Sequence, residues 1–508
     1  MAEQQGQTIS YQQTVTDLAA AFIDHWADMI VCWSQEKYLP DNLGATLSAV
    51  LSNSDVPIIS FPASVLASEQ NPLHPFTMQF SQMMGVNSAA PTASMGFLLE
   101  SLPIHPAKEQ DFAEIRRLLS ELERVTAQDM KAAFQFAVVK QSLARSGQTL
   151  EGLKRYQHYP FQPDRLQGKV IHKVGGVSLH GYQHIDSQKA PLKPLLLIPS
   201  MINGAEIFDL VPQRSFLRYL IDAGYCPYVV DWGEPDDNSV DFSLNDYIEK
   251  RLAPLFEQLI AMTGRAVPVV GYCMGGTLAA ALSCLYPNDV SGLAVLAAPW
   301  DFKAAPDHPA SVHYQKFLPF LQKISEVSEG RAGKQEQELS PEQDLKQMNV
   351  IPIELLQYFF VSLNPVQSER KFRQFSQMTK EEEASQLFVA LERWANMGAP
   401  VNAAVIRQAV DIWFGENLPA KGAWSVAGQR IDPTKLSCPV FVVSPQKDSL
   451  VPPESSCALA RIMTAGEMSD TVTLLKPNVG HVGLMVGRQA KDVLYKPFVT
   501  WLDKYCDS

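Results

Sequence analysis

Three side-chain types that together make a covalent acyl-transfer centre occur in a fixed order along the 508-residue chain: Cys273, Asp448 and His481. A thiol attacks as its thiolate, so it needs a base, and the base needs an acid to orient it. Cys273 lies in Gly271-Tyr272-Cys273-Met274-Gly275, between the apolar run Val267 to Val270 and an Ala/Leu-rich stretch of helical spacing. This predicts a strand, a sharp turn and a helix. Gly271 and Gly275 are expected there because side chains would collide with the crossing strand and helix. The helix that follows aims its free N–H groups and its dipole at the turn, which favours a thiolate and an oxyanion beside it. The backbone N–H of Met274 is the first expected oxyanion donor.

Five residues of this form also arise by chance, and a buried cysteine is more often a small core hydrophobe than a nucleophile. The other two residues decide between these readings. Asp448 follows the apolar run Pro439 to Ser444, in Pro445-Gln446-Lys447-Asp448-Ser449-Leu450-Val451. His481 follows the run Thr471 to Leu475, in Asn478-Val479-Gly480-His481-Val482-Gly483, where the glycines leave the imidazole unhindered. An aspartate before a serine is commonly a turn residue, and a histidine between glycines is commonly a loop residue. Both stand where a strand ends, however, and nucleophile, acid and base come in the order that an elbow enzyme requires.

Met201, Ile202 and Asn203 follow the apolar run that ends at Pro199, the position from which a second oxyanion N–H comes, supplied by Met201 or Ile202. Asp231-Trp232-Gly233 and Pro299-Trp300-Asp301-Phe302 also end strands, where they either line the site or pack. His172, His180 and His184 fall in a presumed hairpin and read as structural or surface residues.

The elements that must position these groups are legible in the period of the apolar residues. Lys169 to His172 and Val177 to Tyr182 read as paired antiparallel strands around Gly175-Gly176. Pro194 to Pro199, Tyr228 to Trp232, Val267 to Tyr272, Ala294 to Ala297, Pro439 to Ser444 and Thr471 to Leu475 are short apolar runs. Strands covered on both faces have that composition. Helices are expected over 212–223 and 243–263, and the alternation predicts a parallel, doubly wound α/β sheet.

The alternation breaks over 301–432. Residues 326–340 are polar and unpatterned, and helical periodicity marks 353–362, 366–378, 384–397 and 401–415. An insertion between late strands belongs above the strand C-termini, as a lid. Amphipathic helices are expected over 11–34 and 107–147, with an irregular Pro/Ser-rich stretch over 52–106 between them; Met83 and Met84 there read as core filling. The organisation expected is therefore a helical N-terminal region over 1–160, an α/β core over 161–300 and 433–508, and a helical cap over 301–432.

Composition excludes several classes. The net charge of −12, with no Lys/Arg run, argues against nucleic acid as a partner. The seven cysteines, at 32, 226, 273, 284, 438, 457 and 506, are dispersed, as in a cytoplasmic chain of reduced thiols, and no C-x-x-C pair suggests a metal. No run of 18 apolar residues is present, so no transmembrane segment is expected, and the first residues carry no secretory signal.

Five separated motifs carry a resemblance. Gly271-Tyr272-Cys273-Met274-Gly275-Gly276-Thr277 is one, and Val230-Asp231-Trp232-Gly233 with Leu244-Asn245-Asp246-Tyr247 is another. Ile202-Asn203 with Phe208-Asp209-Leu210, Asp448-Ser449-Leu450-Val451-Pro452-Pro453 and Gly480-His481-Val482-Gly483 complete the set. Together, over residues 160–505, they resemble the polyhydroxyalkanoate synthases. The resemblance implies an α/β-hydrolase fold with a helical lid insertion and a helical N-terminal region. It implies transfer of (R)-3-hydroxyacyl groups from coenzyme A thioesters to a growing polyester. Cys273 would bear the acyl chain, His481 would deprotonate the thiol, and Asp448 would support the histidine or help to activate the incoming hydroxyl.

The substrates implied are 3-hydroxyacyl-CoA and the polyester chain, with no further cofactor; a homodimer and a polyester-granule surface are the partners to look for. After Ile202-Asn203 this chain has Gly204-Ala205 where the family usually has a basic residue. A thiol ester keeps its acyl group ready for transfer to an alcohol, so cysteine in place of serine favours transfer over hydrolysis. The competing readings are a thioesterase or intracellular polyester depolymerase on the same fold, and a non-catalytic granule-associated protein.

Overall fold

The structure is a computed structural model and describes residues 127–182, 193–315, 350–464 and 471–506, apart from scattered positions within these stretches. The expected helix over 11–34, the Pro/Ser-rich stretch over 52–106 and the polar loop over 326–340 lie outside the described residues, as does much of the helix expected over 353–362.

The chain divides into two compact units, one of Met1–Pro160 with Gln357–Ser385, the other of Phe161–Leu356 with Gln386–Ser508. In the first, the long helix α1 (Ala127–Gln157) packs on a later helix that lies in Pro365–Gln377. Tyr156 meets Phe372 edge to face with centroids 5.8 Å apart, and the hydroxyl of Thr149 donates to Glu369 at 3.1 Å. Both are buried, so the polar pair sits satisfied within an apolar seam.

The second unit is built on one eight-stranded sheet. Its strands are β1 (Lys169–Val174), β2 (Val177–Gly181), β3 (Lys193–Ile198), β4 (Tyr225–Asp231), β5 (Val267–Tyr272), β6 (Val290–Leu296), β7 (Val440–Val443) and β8 (Val472–Leu475). The spatial order is β1-β2-β4-β3-β5-β6-β7-β8. β2 pairs antiparallel with β1 and β4, and every later pairing is parallel. The expected parallel, doubly wound sheet with an antiparallel hairpin at one edge is the sheet that forms. β3, β5 and β7 are buried almost throughout, which is why their sequences are continuous apolar runs rather than alternating ones.

Register decides what the sheet positions. Ile198 pairs with Gly271, Tyr272 with Leu296, Leu296 with Val443, and Val443 with Leu475. Five strands thus end level with one another, and the loops that carry Ser200 to Asn203, Cys273, Asp448 and His481 leave from a single edge. That edge includes the place where strand order reverses, between β3 and β5, and in open α/β sheets ligands bind there.

Helices cover the faces: α2 (Phe216–Asp222), α3 (Ala253–Thr263), α4 (Met274–Leu285) and, at the far end of the chain, Lys496–Tyr505. Phe216, Phe441, Phe498 and Trp501 interlock beneath the sheet in one aromatic cluster. Each such side chain contributes about 1.5–3 kcal/mol on burial.

Two helices depart from the expected spans for local reasons. Over 212–223, Pro212–Arg214 forms a 3-10 turn, and α2 begins only after Ser215, whose hydroxyl accepts from the Arg218 N–H at 3.0 Å. Over 243–263, the opening turn Leu244–Tyr247 widens into a π-helical turn, Ile248–Leu252, before α3. Pro254 lies just past that turn and has no N–H to donate to a carbonyl four residues back, so the regular ladder cannot run through it. In the insertion, helix appears within Pro365–Gln377, Glu383–Asn396 and Ala403–Gln408, the last widening into the π-helical Ala409–Gly415. Among the described residues no helix is long and apolar enough to cross a membrane.

Candidate active site

β5 runs into Cys273, which stands as the N-cap of α4 with φ 55° and ψ −131°. A non-glycine residue in that region is strained by about 1–3 kcal/mol and persists only where its surroundings over-determine it. Here they do. The Cys273 N–H donates to the Leu296 carbonyl and its own carbonyl accepts from the Gly276 N–H, both at 2.9 Å. A methyl at Gly271 would run into the backbone of Gly275 and Gly276, and one at Gly275 into the carbonyls of Ile198 and Pro199. The elbow is thus pinned between its own helix and β3, and the thiol is left half-buried at the sheet edge.

The Asp448 carboxylate is 3% exposed, and both its oxygens are engaged. Oδ1 accepts from the backbone N–H groups of Leu450 at 2.8 Å and Val451 at 2.9 Å, while Oδ2 lies 2.6 Å from His481 Nδ1. The turn expected at this residue forms, and its amides fix one oxygen so that the other points at the imidazole.

His481 opens the short helix His481–Val486 and is buried. It is not the unhindered loop histidine that its flanking glycines suggest, because Asp448, Cys273 and Tyr272 surround it. Its Nδ1 meets Asp448, and Cys273 lies near enough for its charge to act on the imidazole. The Tyr272 ring lies 5.1 Å from the imidazole centroid, and the Tyr272 hydroxyl donates to the His481 carbonyl at 3.3 Å. Burial alone would lower the imidazole, but the negative charges of Asp448 and Cys273 outweigh it and hold His481 well above the usual histidine range. An imidazole so placed can take a proton from the thiol and keep it.

Two groups from the start of the insertion also reach this centre. The His308 ring accepts from the Ala310 N–H at 3.2 Å, and burial pushes its imidazole down, against the pull of Glu454 and Asp448. The hydroxyl of Tyr314 donates to the Leu450 carbonyl at 3.3 Å. Burial raises that phenol, and so do the charges of Cys273 and Asp448. Neither residue lies in a recognisable motif, and only the tertiary fold brings them here.

Four of the remaining candidates, Met201, Asn203, Asp231 and Trp232, line a cleft of about 220 Å³ that Cys273, Asp448 and His481 do not line, whereas Ile202 is not part of its wall and Met274 opens α4. Trp232 donates its indole N–H to the Pro199 carbonyl at 3.2 Å and so braces the loop against which Gly275 lies. Asp231 accepts from the Gly233 N–H at 3.1 Å and stands 3.7 Å from His180 Nε2. The Ile202 N–H donates to the Ser200 hydroxyl at 3.3 Å, whereas the Met201 amide has no partner among the described residues. The Asn203 side chain donates to the Ala395 carbonyl at 3.4 Å, tying this loop to the insertion. Trp300 is buried and belongs to the packing of the insertion's base. Among the described residues no three His, Cys, Asp or Glu side chains gather as a metal site would require.

Residues 193–487, more than half of the chain, match the family model described as the alpha/beta hydrolase fold, and the chain belongs to that family. Within it, the resemblance to polyhydroxyalkanoate synthases is borne out by curated relatives named poly(3-hydroxyalkanoate) polymerase subunit PhaC. That of Haloferax mediterranei is 25% identical over 339 residues, 66% of this chain and 64% of its own. Those of Allochromatium vinosum and a Synechocystis strain are 26% and 24% identical, covering 61% and 70% of this chain and 81% and 89% of theirs. The chain thus spans just under two thirds of the length of the Haloferax relative.

Proposed function

We propose that this chain is a polyhydroxyalkanoate synthase-like acyltransferase that moves (R)-3-hydroxyacyl groups from coenzyme A thioesters to a growing polyester through an acyl-enzyme on Cys273. The observation that carries this reading is a strained elbow cysteine at the same sheet edge as a buried histidine that Asp448 holds at 2.6 Å. The matches to PhaC subunits support the substrate class.

His481 takes the Cys273 proton, and the thiolate attacks the thioester carbonyl. The N–H groups of Met274 and Met201 receive the oxyanion. Collapse breaks the bond to the CoA sulfur, which leaves with the proton held by His481. A hydroxyl then attacks the acyl-enzyme while His481 removes its proton, an ester forms, and the Cys273 sulfur departs and recovers the proton. Asp448 keeps the imidazole in one tautomer and balances its charge throughout.

Incubation with 3-hydroxybutyryl-CoA, followed by mass analysis of the products, tests this directly. Oligomeric esters are expected alongside free CoA. Free 3-hydroxy acid as the sole acyl product would replace transfer with hydrolysis, the thioesterase or depolymerase alternative.

A further inference from the structure

The cleft beside the elbow has a lining that selects among ligands. Its carboxylates are Glu206, Asp209 and Asp231, and Arg165 and His180 line it as well. Asp209 is closed off by Arg218 and by the Leu166 N–H. Arg165 stands 3.6 Å from Glu206 and leaves its buried Nε without a partner. The Tyr182 hydroxyl, half-buried among these carboxylates, has no hydrogen-bond partner among the described residues. Burial and then the charges of Asp209, Asp231 and Glu206 push this phenol up to about 12, so it remains a neutral donor at any physiological pH.

With Asp209 closed off by Arg218 and Glu206 beside Arg165, the half-exposed Asp231 carboxylate is the charge left facing a ligand, and it disfavours phosphates and free carboxylates. The lining offers N–H and O–H donors to an ester carbonyl. At about 220 Å³ the cleft is also smaller than the ~300–1,000 Å³ of pockets that enclose drug-sized ligands, too small for a coenzyme A but sufficient for a short chain end. Its position is specific, since Met201, the second oxyanion donor proposed above, forms part of its wall. Met397, 71% exposed, gives the cleft an apolar lining residue in contact with solvent.

Resting on the acyltransferase reading, we infer that this cleft is the acceptor subsite, binding the uncharged, hydroxyl-terminated end of a 3-hydroxyacyl ester while the coenzyme A arm lies elsewhere. Tyr182 and Arg165 donate to ester carbonyls behind the terminal hydroxyl, which projects past Met201 toward Cys273. Asp231 supplies the charge that turns a carboxylate away.

Calorimetric titration of the Cys273→Ala protein, which cannot turn over, measures the subsite without catalysis. The probes are the methyl ester of the 3-hydroxybutyrate dimer and the corresponding free acid. The ester is expected to bind, and the acid to bind roughly tenfold more weakly because of the carboxylate lining. Tyr182→Phe in the same background should weaken the ester by roughly three- to tenfold, the effect of one hydrogen bond. Asp231→Asn should narrow the preference for ester over acid, a change that a merely structural role for Asp231 would not produce. Ester affinity unchanged by Tyr182→Phe, or equal binding of ester and acid, overturns the subsite. The parent reading is tested apart from it: an intact enzyme that binds the ester yet releases no CoA from 3-hydroxybutyryl-CoA overturns acyl transfer, not the binding site.

Discussion

Gly271 and Gly275 flank Cys273, and Gly480 and Gly483 flank His481, so in sequence the proposed nucleophile and base look alike. In the fold they are held by different means. A methyl group at Gly271 or Gly275 meets backbone atoms that cannot move aside. At Gly480 a methyl approaches only the Lys447 carbonyl, at 3.3 Å, with φ −85°, and at Gly483 it meets nothing within 4 Å. The thiol is fixed by backbone sterics and local strain, and the imidazole by the side chains of Asp448 and Tyr272. A glycine-flanked motif is therefore informative about geometry only where another chain segment crosses it.

Perturbations of the two limbs should separate accordingly. On the base limb, Asp448→Asn is expected to cost about 10⁴-fold in turnover, because the amide keeps the turn but stabilises the wrong imidazole tautomer. CoA release under saturating thioester measures this, and a loss of only a few-fold would mean that the imidazole is oriented by something else. On the nucleophile limb, Gly275→Ala should destabilise the protein by about 3 kcal/mol, as overpacking against immobile carbonyls does; urea unfolding measures the change.

A smaller effect isolates the strain itself. Replacing Cys273 by Gly should give a protein about 1 kcal/mol more stable than replacing it by Ala, the reverse of the usual order, because only glycine relaxes at φ 55°. Equal midpoints for the two variants would show that the elbow is not strained.

The sign of the pH dependence follows from the direction of the His481 shift. Its folded-state pKa is raised, so the stability it contributes is complete below the ordinary histidine value of about 6.5 and is lost as pH rises through the elevated value. The stability gap between the natural protein and His481→Gln should therefore be widest near pH 6 and close toward alkaline pH. A gap that widens with pH would mean that the imidazole is buried neutral. Smallest of all, Gly483→Ala should stabilise the protein by about 0.5 kcal/mol, since it lies in a helix with open space beside it.

Much of the scaffold was legible because buried parallel strands have continuous apolar sequences, and each candidate residue stood just after one. Asp448 and His481 could be picked out by order rather than by local context. What stayed hidden depended on distant contacts. His308 and Tyr314 carry no local signal; Tyr314 reaches the loop of Asp448 through the Leu450 carbonyl, and both feel the Asp448 charge, only because the insertion brings them there. Tyr272 was visible only as the variable position of the elbow, yet it packs on the His481 ring. Asp231 and Trp232 were rightly marked as strand-end residues, but their cleft is distinct from the triad's own surroundings, a separation that needs coordinates to see.

The central claim is that Cys273 carries the acyl group. The most direct measurement is mass spectrometry of the protease-derived peptide bearing Cys273 after brief incubation with 3-hydroxybutyryl-CoA, beside a Cys273→Ala control. The account predicts a hydroxyacyl adduct on that peptide, formed in step with CoA release and absent from the control. CoA release without any adduct, or the same release from Cys273→Ala, would contradict it.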